Sequence, residues 1–186
     1  MPNKVEFGIS NLHVGTYSVD AQNQVTLGTP YHQRGAVNFA PEAQSESNNF
    51  YADNIIYWSG YAGGSLEGDL EVAMFDDEFK KQFLGYKTLT NGALAMVKNP
   101  VKPDVYIAFQ VEGDVESRRI ILFNCSMGDI TREYHTIEEN KEPVTETIPV
   151  TCAGDSVSGV TMAVLKPGDT GYDTLFTAPT APVIAP

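Results

Sequence analysis

A side-chain period of two constrains this chain more than any other feature. Leu66, Leu70, Val72 and Met74 share one side of an extended segment, while Glu67, Asp69 and Glu71 take the other. Val105, Ile107, Phe109 and Val111 alternate with Tyr106, Ala108, Gln110 and Glu112 in the same way. So do Glu146, Ile148, Val150 and Cys152 with Thr145, Thr147, Pro149 and Thr151. Successive side chains point to opposite faces only in a strand, so these runs predict a sheet with one face turned to a core. Near the start, Val5, Phe7 and Ile9 keep this rhythm until it shifts phase at Leu12 and Val14, which predicts a bulge near Asn11. The run from Arg119 to Cys125 follows through a hairpin loop, Gly113 to Ser117, and Val160 to Leu165 supplies a further strand. Pro149 cannot donate to a ladder, so its strand is expected at an edge or bulged there.

One segment breaks the rhythm. In FDDEFKKQFLG, Asp76 suits an N-cap, Asp77 and Glu78 favour the positive end of a helix dipole, and Gly85 suits a left-handed C′ position. Phe79 and Phe83 lie one turn apart on one face, so a short helix over about 76–84 is predicted to dock through them. The expected fold is therefore mainly β, a sandwich or barrel carrying one short helix. A chain of 186 residues fits one such domain and can bury roughly 70% of its unfolded surface. That domain is placed at 1–165.

Two stretches fall outside this pattern. Residues 41–64, PEAQSESNNFYADNIIYWSGYAGG, hold five aromatics among Ser, Asn and Gly, and read as a long projecting loop or hairpin. Phe50, Tyr51, Trp58 and Tyr61 are its candidate contacts with a neighbouring subunit, because aromatics anchor interfaces. The alternative is that they pair across a hairpin within their own subunit. Residues 166–186, with prolines at 167, 179, 182 and 186, read as an extended C-terminal extension, expected to act as an inter-subunit arm.

Charge narrows the function. The chain carries 24 acids against 12 bases, a net charge of −12, and no basic cluster beyond Arg118-Arg119 or Lys80-Lys81. Duplex DNA is held by Lys and Arg that neutralise phosphates, so this chain is expected to repel it. Between Arg34 and Lys80 lie Glu42, Glu46, Asp53, Glu67, Asp69, Glu71, Asp76, Asp77 and Glu78, with no base among them. A solvated face explains such a run in general; an acidic surface with a purpose is the sharper reading.

The chemistry of catalysis is not in evidence. His13, His32 and His135 have no metal-ligand spacing, and no HExxH, CxxC or GxSxG motif occurs. Asp76-Asp77-Glu78 lacks the alternation of a calcium loop. The glycines at 60, 63, 64 and 68 precede a strand and no Lys-Ser/Thr, so they form no phosphate loop. No enzyme, metal or cofactor is expected. The N-terminal MPNKVEFGIS lacks the apolar core of a secretory signal, and no apolar run is long enough to span a membrane. Retention in a cytoplasm follows as an expectation, and there Cys125 and Cys152 are expected as free, buried thiols.

The segments EFGISNLHVGTY, GAVNFAPEAQSESNNFYADNIIYW, GSLEGDLEVAMFDDEFKKQFLG, RRIILFNCSMG and EPVTETIPVTC together resemble the major tail tube proteins of siphovirus-type bacteriophages, notably those of Gram-positive hosts. The likeness runs in order from about residue 5 to 153. It implies a β-sandwich or barrel flanked by one helix, six subunits to a ring, and rings stacked round a lumen through which DNA passes during ejection. The implied partners are further copies of the chain, a tape-measure protein inside the tube, tail terminator and distal tail proteins, and phage DNA passing without specific binding. The implied location is the virion tail, assembled in the host bacterial cytoplasm. Within that frame Glu67, Asp69, Glu71 and Glu112 are the candidate lumen-facing acids, since each alternates with core residues. Two other readings compete: a small β-sandwich carbohydrate-binding or adhesion module using Tyr57, Trp58 and Tyr61, and a tube in a headless phage-derived device. Self-assembly separates the first from a tube protein, and neighbouring genes separate the second from a virion.

Overall fold

The computed structural model describes residues 8–52, 55–134, 136 and 143–184, with the side chains of 46–62 outside the described part. Strands β1 (Gly8–Val19), β2 (Val25–Leu27), β3 (Tyr31–His32), β4 (Ala36–Phe39), β5 (Glu42–Ala52) and β6 (Ile55–Val72) precede the helix α1 (Asp77–Phe83). After it come β7 (Lys87–Thr88), β8 (Leu94–Ala95), β9 (Val105–Glu112), β10 (Arg119–Met127), β11 (Thr131–Arg132), β12 (Glu146–Cys152) and β13 (Met162–Leu165). The main sheet runs β2-β1-β9-β10-β12-β6-β4, with β3 on β1, β13 on β10, β11 on β12 and β5 on β6. All its ladders are antiparallel, and β7 pairs separately with β8.

Alternation decides which face is buried. Leu70 and Val72 of β6, Val105, Ile107, Phe109 and Val111 of β9, and Ile148 and Val150 of β12 converge on one core with Leu12 and Val14 of β1. Helix α1 closes that core. Phe75, Phe79 and Phe83 are buried, Phe75 stacked on Phe79 and Phe83 tilted against it, and Tyr31 meets Phe79 and Phe83 from β3. Each buried ring contributes about 1.5–3 kcal/mol, which is how a seven-residue helix persists. Asp76 holds the N-cap position, but its side chain makes no capping bond and accepts one from Tyr31 Oη at 3.1 Å. Gly85, at φ +70, turns the chain out as the sequence requires, and Tyr86 N–H donates to the Lys80 carbonyl at 3.1 Å.

The bulge stands where the phase shift placed it: the β1–β9 register slips between Ser10 and His13, and Asn11 takes φ 51. Pro149 is not in an edge strand, but it faces a bulge: between the Met127–Val150 and Thr131–Thr147 pairs, Gly128, Asp129 and Ile130 stand against only Ile148 and Pro149. It pairs with Asp69 on one side of β12, and on the other it falls in the gap between β11, which pairs at Glu146 and Thr147, and β10, which pairs from Val150. Its carbonyl accepts from Gly128 N–H across that gap at 2.8 Å, where its own missing N–H leaves no ladder bond unmade.

The cysteines correct the expectation of free thiols. Cys125 and Cys152 are register partners on β10 and β12, both buried in the main core, and they form a disulfide. Their sequence separation of 27 hides this adjacency.

A second, smaller core lies on the opposite face of β9 and β10, where Tyr106, Ala108, Ile121 and Phe123 meet Leu175. The chain after β13 therefore does not run out as an extended tail. Residues 167–177 form successive turns, Leu175 is buried, and the buried Tyr172 donates its hydroxyl to the Ser117 carbonyl at 2.7 Å. Val183 and Ile184 near the end are exposed, at 88% and 64% accessible.

Candidate functional site

The chemistry of this molecule lies on a surface. On β6 the core takes Leu66, Leu70 and Val72, so the intervening Glu67, Asp69 and Glu71 must turn outward. Glu67 and Asp69 are exposed, and Glu71 is half-buried because it accepts a hydrogen bond from Thr145 Oγ1 at 2.6 Å. Their partners on β12 are Thr151, Pro149 and Thr147, none of which carries charge. On the other flank, β5 sets Glu42 directly opposite Glu67, and β4 sets Asn38 opposite Glu71. Glu42, Glu67 and Asp69 line one shallow groove with Asn38, Ala40 and Thr151.

No lysine or arginine reaches this groove to pair with Glu42, Glu67 or Asp69 among the described residues. Lys80 and Arg132 both bond Glu146 at 3.2 Å, and Lys102 bonds Asp129 at 2.6 Å. Like charges set directly opposite in a ladder are unfavourable, so the Glu42–Glu67 pair opposes folding slightly and is not explained by stability. Glu112 stands apart from the other three candidates, separated from β6 by β10 and β12. It is exposed at the end of β9 and accepts a hydrogen bond from Ser10 Oγ.

Sequence reasoning missed Glu42 as a site residue. It was one acid among nine in a base-free run, and only the β5–β6 register makes it the neighbour of Glu67. The other candidates, Phe50, Tyr51, Trp58 and Tyr61, lie on strands whose backbone is described and whose side chains at these positions are not. The register places Phe50 opposite Trp58 and Ser47 opposite Tyr61. The expected loop over 41–64 is thus the distal part of a long β5–β6 hairpin. Ladders from β4 and β12 reach β6 only from Leu66 onward, so beyond that point, among the described residues, β5 and β6 pair with each other alone.

The arrangement offers no reaction centre. Among the described residues no three His, Cys, Asp or Glu side chains gather as a metal site would require, and no helix is long and apolar enough to cross a membrane. What the face offers is a field of uncompensated carboxylates on a rigid ladder.

Comparison with known proteins gives this face a context. No curated protein sequence matches the chain. Among solved structures, the chain is similar to one described as the tube-terminating cap of an anti-feeding prophage, with TM-score 0.41, 9% identity, and 88% of this chain and 95% of that one covered. A chain from the sheath–tube complex of an extracellular contractile injection system gives TM-score 0.44 and 10% identity, covering 87% and 94%. One from the sheath/tube terminator of such a system gives TM-score 0.44 and 8% identity, covering 87% and 98%. Superpositions this partial decide nothing further. The model of the phage tail tube protein family matches residues 2–163, nearly all of the sheet. The chain belongs to the phage tail tube protein family, and it is a structural protein rather than an enzyme.

Proposed function

We propose that the chain polymerises as stacked hexameric rings into the tube of a long, non-contractile, siphovirus-type tail of a Gram-positive host's phage, and that DNA passes down its lumen during ejection. The observation that carries this reading is the base-free face of β6: Glu67, Asp69 and Glu71, joined by Glu42. A lumen so lined offers phosphate no counter-charge, so the passing duplex meets no attractive wells that would slow it. Glu112, on the outward-alternating side of β9, joins them as a lumen-facing candidate. The distal β5–β6 hairpin supports self-assembly, because two strands with no further ladder partner among the described residues leave backbone donors and acceptors for a neighbouring copy. Phe50, Tyr51, Trp58 and Tyr61 are its proposed anchors. The extension 166–186 serves as an arm whose docked part holds it to the domain and whose apolar tip, Val183 and Ile184, reaches another subunit. A tape-measure protein, a tail terminator and distal tail proteins complete the partners.

Electron microscopy of the purified, assembled protein tests the reading, with the distance of each carboxylate from the tube axis as the measurement. Glu67 and Asp69 are expected on the inner wall. If Glu42, Glu67, Asp69, Glu71 and Glu112 all line the outside, or the protein stays monomeric, the reading is wrong.

A further inference from the structure

We propose that His13, His32 and Phe176 form an acid-sensitive latch, which holds the C-terminal segment on the sheet at neutral pH and loosens it when His13 takes up a proton. His13 on β1 and His32 on β3 are register partners, and their rings stack 4.7 Å apart within 14° of parallel. Phe176 stacks on His13 at 4.7 Å and 20°. The column continues through the Arg119 guanidinium, which lies 4.7 Å from the Phe176 ring centroid and 4.0 Å from that of Tyr172. Four separate parts of the chain thus meet in one stack, and the C-terminal segment enters it through two rings.

The surroundings of His13 make this stack sensitive to acid. Its Nδ1–H donates to the Asn11 carbonyl at 2.7 Å, because a carbonyl can only accept, so a second proton must go to Nε2. β3 presents His32, β10 presents Arg119, and the C-terminal segment presents an uncharged ring. Neither imidazole has a carboxylate partner among the described residues. A proton on His13 therefore meets the His32 ring, one guanidinium beyond Phe176, and no opposite charge. Burial holds His13 below the ordinary histidine value, the Asn11 carbonyl opposes this, and His32 adds to it. The latched state thus binds protons less readily than a released state with His13 in water. Its stability is complete above the ordinary histidine value of about 6.5 and declines as pH falls below it. Leu175 and the Tyr172–Ser117 hydrogen bond remain as anchors, so the response is a graded loosening of the segment.

Hydrogen–deuterium exchange of the full chain at pH 8 and pH 5, corrected for the intrinsic exchange rate, tests this. The amides of Leu175, Thr177 and Ala178, bonded to the carbonyls of Tyr172 and Thr174, report on the segment. Their protection is expected to fall several-fold on acidification, with β9 and β10 unchanged. In His13→Phe, which keeps a stacked ring and removes the titration, protection should be equal at both pH values. Undiminished protection in the wild type at pH 5 overturns the latch. So does an unaltered acid response in His13→Phe, or a loss shared equally by Ile107 and Ile121, which is acid unfolding.

Discussion

The phenol of Tyr106 occupies the space that a side chain at Gly15, its register partner across β1 and β9, would need. A Cβ built on Gly15 would lie 2.3 Å from Tyr106 Oη, a distance no real contact allows. The hydroxyl is fixed there because it donates to the Gly28 carbonyl at 2.8 Å, and burial raises its pKa far above the ordinary tyrosine value. Gly15→Ala should therefore destabilise the subunit by about 1–3 kcal/mol, as overpacking does. Gly15→Ala combined with Tyr106→Phe should lose less than the sum of the two changes. Urea unfolding of the three variants checks this, and full additivity would refute the steric coupling.

The Cys125–Cys152 disulfide should stabilise the fold by about 3–4 kcal/mol on the chain-entropy account for a loop of its size. Thermal unfolding with and without a reductant is the measurement. Because both sulfurs are buried, reduction should need prior partial unfolding, so thiol trapping should be slow in the native protein. Rapid trapping of two thiols without denaturant would show that the bond does not form.

Glu146 organises the junction between β12, α1 and the connection from β6 to α1. Its carboxylate accepts from Phe75 N–H at 2.7 Å and bonds both Lys80 and Arg132 at 3.2 Å. Glu146→Ala would strand a backbone donor and a largely buried ammonium, with an expected loss of about 3–5 kcal/mol. Equilibrium unfolding reads it; a loss below 1 kcal/mol would mean that water replaces the carboxylate freely.

Asp114 in the β9–β10 hairpin gives a pH prediction. A side-chain hydrogen bond from Arg118 at 2.6 Å, reinforced by the Arg118 and Glu116 amides, holds its pKa at about 2, although desolvation opposes the shift. A depressed carboxylate contributes stability above its unfolded value of 3.8, and that contribution is lost as pH falls through about 2. Asp114→Asn should remove this part of the acid dependence between those two values. An unchanged slope in stability against pH over that window would count against the assignment.

Trp58→Ala tests the hairpin as an interface. Folded subunits that no longer polymerise are expected, seen as a slow-sedimenting species with an unchanged circular dichroism spectrum. Tubes of ordinary length would return Trp58 to its own subunit.

The sequence by itself determined the β character, the short helix, the bulge at Asn11 and the outward direction of Glu67, Asp69 and Glu71. Each follows from the spacing of neighbours along the chain, because backbone geometry fixes which way successive side chains point. Tertiary structure alone decided that Cys125 meets Cys152, that Glu42 meets Glu67, and that Pro149 falls in a gap between two ladders. These depend on strand register, which is set by how whole faces pack. The C-terminal segment shows the difference most clearly. Pro, Gly and Asp near Tyr172 and Phe176 read locally as a tail, and the segment folds back because β9, β10 and β13 leave an apolar surface that only the assembled sheet creates. Burial of Leu175 on that surface outweighs the entropy of a free end.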